Sequence, residues 1–126
     1  SMYNTPPCWC IYMLGLVLEW LEGQGGIPGM EAIKHAKAQM LYEVIDSSRL
    51  FTCAVEKSSR SDMNVVFRTG NDELDAKFVQ EATAAGFTNL KGHRSVGGMR
   101  ASIYNAMPTE GVEKLCDFIK AFDRNN

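Results

Sequence analysis

The segment MNVVFRTGNDELDAKFVQEATAAG, residues 63–86, is the most telling for architecture because its pattern changes once, at Gly70. Before that glycine, Val65, Val66, Phe67 and Thr69 give a run of β-branched and aromatic side chains, the composition of a strand over 63–69. After it, Asn71 or Asp72 can accept the free amides of a first helical turn, and Leu74, Phe78, Val79 and Ala82 recur at helical spacing. Gly86 supplies the left-handed residue that closes many helices. A strand feeding directly into a helix predicts an α/β domain.

Reading outward extends the pattern. Upstream, 51–55 is a second β-rich run, separated from the first by the polar connection 56–62. Two helices are expected before it, over 7–22 and 30–47, divided by the breaker Gln24-Gly25-Gly26-Ile27-Pro28-Gly29. Thr5 is placed to cap the first of them, with proline at the first helical position, where its missing donor costs nothing. Downstream, 87–90 is a short strand candidate, 91–98 a glycine-rich loop and 99–104 a further strand. A last helix starts at Thr109 and carries Val112, Leu115, Cys116, Ile119 and Phe122 on one stripe. The order predicts a two-layer α/β (α+β) arrangement, a small mixed sheet covered by helices. Residues 1–28 would form a leading helix that links to something further, and 29–126 a small domain.

With 126 residues, 45% of them hydrophobic and 22% charged, the chain has the material for one core. Thirteen basic against fifteen acidic residues leave a formal charge of -2, so no nucleic acid and no anionic membrane is called for as partner. The apolar run 10–21 contains Glu19 and is shorter than the roughly 20 residues of a spanning helix. Without a basic leader before it, a cytoplasmic location is expected. Cys8, Cys10, Cys53 and Cys116 form no CxxC pair and have no histidine at ligand spacing; free buried thiols and no metal site are predicted. Trp9, Tyr12 and Trp20, in the company of Ile11, Leu14 and Val17, read as core or interface packing.

Chemistry concentrates in Gly92-His93-Arg94-Ser95-Val96-Gly97-Gly98-Met99-Arg100. Small residues let backbone approach a ligand, and the guanidiniums of Arg94 and Arg100 present the paired donors that grip carboxylate and phosphate. The alternative is a glycine-rich turn whose arginines face water or pair with acids such as Glu110. It is no P-loop, since Met99-Arg100 stand where lysine and a hydroxyl belong. His93 could donate to a phosphate or hold a backbone carbonyl, whereas His35 reads as part of a solvated helix face. Asn4 and Thr5, ahead of a helix, offer a phosphate site or an ordinary cap.

Three segments, YNTPP at 3–7, RSDMNV at 60–65 and KGHRSVGGMRASIYNA at 91–106, resemble the phosphoserine aminotransferase family, and the likeness extends over essentially the whole chain. That family belongs to the fold-type I enzymes that use pyridoxal 5'-phosphate. The resemblance implies the C-terminal small domain of such an enzyme, which converts 3-phosphohydroxypyruvate and glutamate to O-phosphoserine and 2-oxoglutarate in serine biosynthesis. It implies a homodimer with shared active sites, in which Asn4 and Thr5 contact the phosphate of the neighbouring subunit's cofactor. Arg100 would hold the α-carboxylate of the substrate, and His93 and Arg94 the phosphate of phosphoserine or the distal carboxylate of glutamate. The Schiff-base lysine of the family lies in its large domain, so no catalytic residue is expected here and these residues alone should be inactive. A free-standing domain that binds an anionic metabolite for regulation is the rival expectation.

Overall fold

A computed structural model describes residues 3–126. Its elements are α1 (Cys8–Gly23), α2 (Gly26–Ser47), a 3-10 turn (Lys57–Ser59), β1 (Asn64–Phe67), α3 (Asp72–Ala84), β2 (Met99–Ser102) and α4 (Thr109–Asn125). The chain divides into two compact units inside α2, after Ile33.

In the first unit Pro7, not Thr5, is the N-cap of α1, and no side chain caps the helix. Two consecutive prolines hold residues 5 and 6 out of the helical region, since each disfavours α backbone in the residue before it. The helix therefore begins one residue later, and Thr5 falls short of capping reach. α2 starts at Gly26, ahead of the expected residue 30, because Pro28 sits within its first turn, where a missing donor has no partner to lose. The aromatics of α1 are not core residues: Trp9 is 71% exposed, Trp20 is 41% exposed and the helix buries none of its side chains. An apolar surface on every side of a helix needs partners all round, and residues 3–33 contain too little to supply them.

The second unit is built on an antiparallel ladder that pairs Asn64 with Ser102, Val65 with Ala101, Val66 with Arg100 and Phe67 with Met99. Alternation along each strand turns Val65, Phe67, Met99 and Ala101 inward. There they join Leu41 and Ile45 of α2, Phe78 and Ala82 of α3 and the predicted stripe of α4 in a single buried cluster. Phe78 is its hub, with ring centroids 5.1 Å from Phe51 and 5.2 Å from Phe122 in edge-on contact. Asn71 caps α3 as expected, its side chain accepting from the amides of Glu73 and Leu74, and Gly86 lies at φ 93 beyond its end.

Two expected strands are reduced to single bridges, and the sheet is antiparallel rather than mixed. Thr52 bonds Arg68 in both directions, at 2.8 and 3.0 Å, with the neighbouring Phe51 ring committed to the core. In 87–90 the run is broken by Asn89 at φ 61, a left-handed backbone foreign to strands, and only Lys91 bridges to Met99. The cysteines also depart from expectation. Cys8 and Cys10 are exposed, Cys53 is half-buried and only Cys116 is buried, where loss of solvent pushes its thiol up to about 11.

The RSDMNV segment is held by side chains of α2. Arg60 grips Asp46 with two bonds of 2.8 and 2.7 Å and lies 4.6 Å from the centre of the Tyr42 ring. Tyr42 Oη donates to the Ser61 carbonyl at 2.9 Å, and Ser61 Oγ accepts from the amides of Met63 and Asn64. Together these contacts fix where β1 begins and hence the register it offers β2.

Candidate functional site

The loop between 90 and 99 is closed at its neck by the Gly92 amide on the Gly98 carbonyl, 2.8 Å, and by the Arg100 amide on the Leu90 carbonyl, 2.7 Å. Within it, Val96 and Gly97 both donate to the His93 carbonyl at 2.9 Å, so the chain turns tightly after His93. Gly98 is required by space as well as by its φ of 65: a Cβ there would stand 2.8 Å from the Phe67 carbonyl oxygen and 3.0 Å from the Arg68 Cβ. The loop thus returns to the sheet at the end of β1.

His93 holds no backbone carbonyl with its ring. Its Nδ1 lies 2.7 Å from Ser95 Oγ and receives the Ser95 amide at 3.3 Å. An amide can only donate, so Nδ1 accepts in that bond, which leaves Nε2 as the ring nitrogen available to donate.

Arg100 occupies the face of β2 turned away from the core and is half-buried; its Nε is buried with no hydrogen-bond partner. A buried N–H without an acceptor costs about 1–3 kcal/mol unless something supplies one. The ion pairs formed among the described residues are His35–Asp62, Lys57–Asp46, Arg60–Asp46, Lys77–Glu81 and Lys120–Asp117. Arg94 and Arg100 take part in none of them, so neither pairs with Glu110; Arg94 is exposed, as the water-facing alternative expected, whereas Arg100 is half-buried.

Two hollows flank the loop and share Gly92, His93 and Gly97. One, about 380 Å³, is lined by His93 and Arg100 together with Arg68, Val66 and Val96, with no carboxylate among its walls. The other, about 620 Å³, runs along α3 and contains Lys91 and Arg94 beside Asp72 and Asp75. His93 thus belongs to both, Arg100 to the first and Arg94 to the second. Asp75 is already engaged, accepting from the Thr69 amide and hydroxyl at 2.8 Å each. In the other unit, Asn4 and Thr5 are exposed just ahead of α1, whose first turn carries neither a capping side chain nor an acidic residue.

Arg68 escaped the sequence reading, although period-two counting from Val66 places it on the same strand face. Lys37 escaped it too. It is fully buried, and its Nζ donates to the carbonyls of Tyr104, Met107 and Asn105 at 2.9, 2.8 and 3.4 Å, tying the loop after β2 to α2. His35, two residues earlier, is exposed as expected, with Nδ1 3.4 Å from Asp62. Among the described residues no three His, Cys, Asp or Glu side chains are grouped to hold a metal ion. No helix among them is long and apolar enough to cross a membrane.

This small α/β unit, with its glycine-rich loop and exposed or half-buried arginines, is a piece of a known enzyme class: the chain belongs to the aminotransferase class-V family, whose profile matches residues 1–115. Within that family it is most informatively compared with phosphoserine aminotransferases. The one from Lactiplantibacillus plantarum is 56% identical over 126 residues, covering 100% of this chain and 35% of that protein. The one from Listeria monocytogenes is 58% identical over 122 residues, 97% of this chain and 34% of its own length. The solved phosphoserine aminotransferase of Bacillus circulans subsp. alkalophilus matches with a TM-score of 0.94 and 48% identity over 98% of this chain and 34% of that structure. A pyridoxal-phosphate-bound phosphoserine aminotransferase from Trichomonas vaginalis matches with a TM-score of 0.88 and 42% identity, over 94% of this chain and 34% of that one. The chain therefore spans about a third of the length of the relatives it matches.

Proposed function

We propose that this chain is the C-terminal, substrate-closing part of a pyridoxal-phosphate-dependent phosphoserine aminotransferase, which exchanges an amino group between glutamate and 3-phosphohydroxypyruvate in serine biosynthesis. The observation that carries the reading is Arg100, half-buried, free of any carboxylate and with a buried Nε that lacks an acceptor. A two-pronged bond from its guanidinium to the substrate α-carboxylate would satisfy that donor and fix the orientation of Cα.

His93, donating through Nε2, and Arg94 would hold the distal anion, whether phosphate or carboxylate. Positive donors without a tailored shape suit an enzyme that must take two substrates in turn at one site. Asn4 and Thr5 fit the phosphate group of the cofactor in a partner subunit: α1 opens with uncapped amides and no acidic neighbour, a favourable setting for a dianion. That placement requires a homodimer with shared active sites. The cofactor, when bound, supplies the electron sink for charge left at Cα; the residues present here bind and orient. None of them is assigned the role of the lysine bonded to the cofactor, Lys91 included, so residues 1–126 alone are expected to show no turnover.

The test is titration of the full-length protein with phosphoserine, wild type against Arg100→Ala. Affinity should fall by about 2–5 kcal/mol, the scale for breaking a buried charged contact. Equal affinities would remove Arg100 from the site. Tight phosphoserine binding by a full-length protein without any transamination would favour a regulatory anion-binding domain instead.

A further inference from the structure

Arg68 follows β1 directly, and strand alternation sets it on the outer face with Asn64 and Val66, the face that Arg100 and Ser102 occupy on β2. Val66 pairs with Arg100, so Arg68 is the diagonal neighbour of Arg100, a separation of roughly 7–8 Å that long side chains bridge easily. Its backbone is pinned on the far edge by Thr52, and across the ladder only the absence of a side chain at Gly98 leaves room for it. Arg68, His93 and Arg100 line one hollow whose walls hold no Asp or Glu, and among the described residues Arg68, which is exposed, forms no ion pair.

We infer that Arg68 is a further substrate-binding residue, one that grips a phosphate monoester at the distal end of the substrate and so biases the cleft toward phosphoserine over glutamate. The inference rests on the transaminase reading above. A phosphate monoester carries close to two negative charges and three acceptor oxygens, against one charge and two oxygens for a carboxylate. A further guanidinium in the hollow that His93 lines, with no acid among its walls to neutralise it, therefore rewards phosphate at the distal end more than carboxylate. His93 lines the same hollow and adds an imidazole to its donors.

The experiment uses the full-length enzyme with Arg68→Gln and Arg68→Lys, measuring kcat and KM with phosphoserine and with glutamate as amino donor. For Arg68→Gln, KM for phosphoserine should rise about tenfold, the scale of one charge-assisted hydrogen bond. KM for glutamate should rise by less than about threefold, as for a solvent-screened charge, and kcat should fall far less than KM rises. Arg68→Lys should recover part of the loss, and the salt dependence of the phosphoserine KM should weaken in Arg68→Gln. Wild-type KM for phosphoserine in Arg68→Gln, or equal rises for both donors, overturns the assignment while leaving the transaminase reading intact. A wild-type enzyme with no affinity for phosphoserine overturns both.

Discussion

Replacing Gly98 by alanine probes how closely the loop must approach β1, and Gly97→Ala is its internal control. Both glycines have positive φ, 65 for Gly98 and 74 for Gly97. Alanine at either should therefore cost about 1–2 kcal/mol from the left-handed backbone alone. Space separates them. At Gly97 a Cβ meets nothing within 4 Å, whereas at Gly98 it meets the Phe67 carbonyl oxygen at 2.8 Å and the Arg68 Cβ at 3.0 Å. Neither is the yielding end of a flexible side chain, since Phe67 is buried and Arg68 is tied to Thr52. Relieving the clash means spreading the end of the ladder, comparable to overpacking, about 1–3 kcal/mol more. The totals are about 1–2 kcal/mol for Gly97→Ala and about 2–5 for Gly98→Ala. Urea unfolding followed by far-ultraviolet circular dichroism measures both; tryptophan emission would not, because Trp9 and Trp20 both lie in α1. A Gly98→Ala variant no less stable than Gly97→Ala would refute the close-approach argument. The same spreading displaces Arg68, so phosphoserine affinity of the full-length enzyme should also drop more for Gly98→Ala.

Other outcomes follow from the contacts around this frame. The Arg60 guanidinium holds the Asp46 carboxyl below its ordinary value near 3.8, outweighing an opposing push from burial. A depressed carboxylate stabilises the fold above the unfolded value and loses that contribution as pH falls through the folded one. Acid unfolding of Asp46→Asn should accordingly be flatter than wild type below about pH 4; superimposable acid profiles would show that the clamp contributes nothing. Lys37→Met should lower stability by about 1–3 kcal/mol by leaving buried carbonyls without their donor, and unchanged urea midpoints would contradict this. The affinity loss of Arg100→Ala and the substrate-selective KM change of Arg68→Gln complete the set.

Much of the second unit was legible from side-chain period. The stripe of α4 lies in the core, and Asn71, one of the two residues offered as a cap, caps α3, because burial of one helix face and the closing of its first turn are properties of local spacing. Strand length was not legible. Residues 51–55 have the composition of a strand, but pairing requires a partner edge, and only Thr52 meets one; 87–90 lose theirs to the left-handed Asn89. The start of α1 was missed because proline's effect on the residue before it outweighed the capping preference of Thr5.

For the site, the chain's order of residues alone names the groups available, two guanidiniums, an imidazole and glycines within residues 92–100, and through its resemblance the family to which they belong. How they are shared out depends on the packed fold. His93 and Arg100 line one hollow with Arg68, Arg94 faces the next, and Lys37, a helix lysine among charged neighbours, spans to three carbonyls nearly seventy residues away. Spacing along a chain fixes which face a side chain takes, but which faces meet is settled by packing the elements over a common core, and those contacts join residues that the sequence holds far apart.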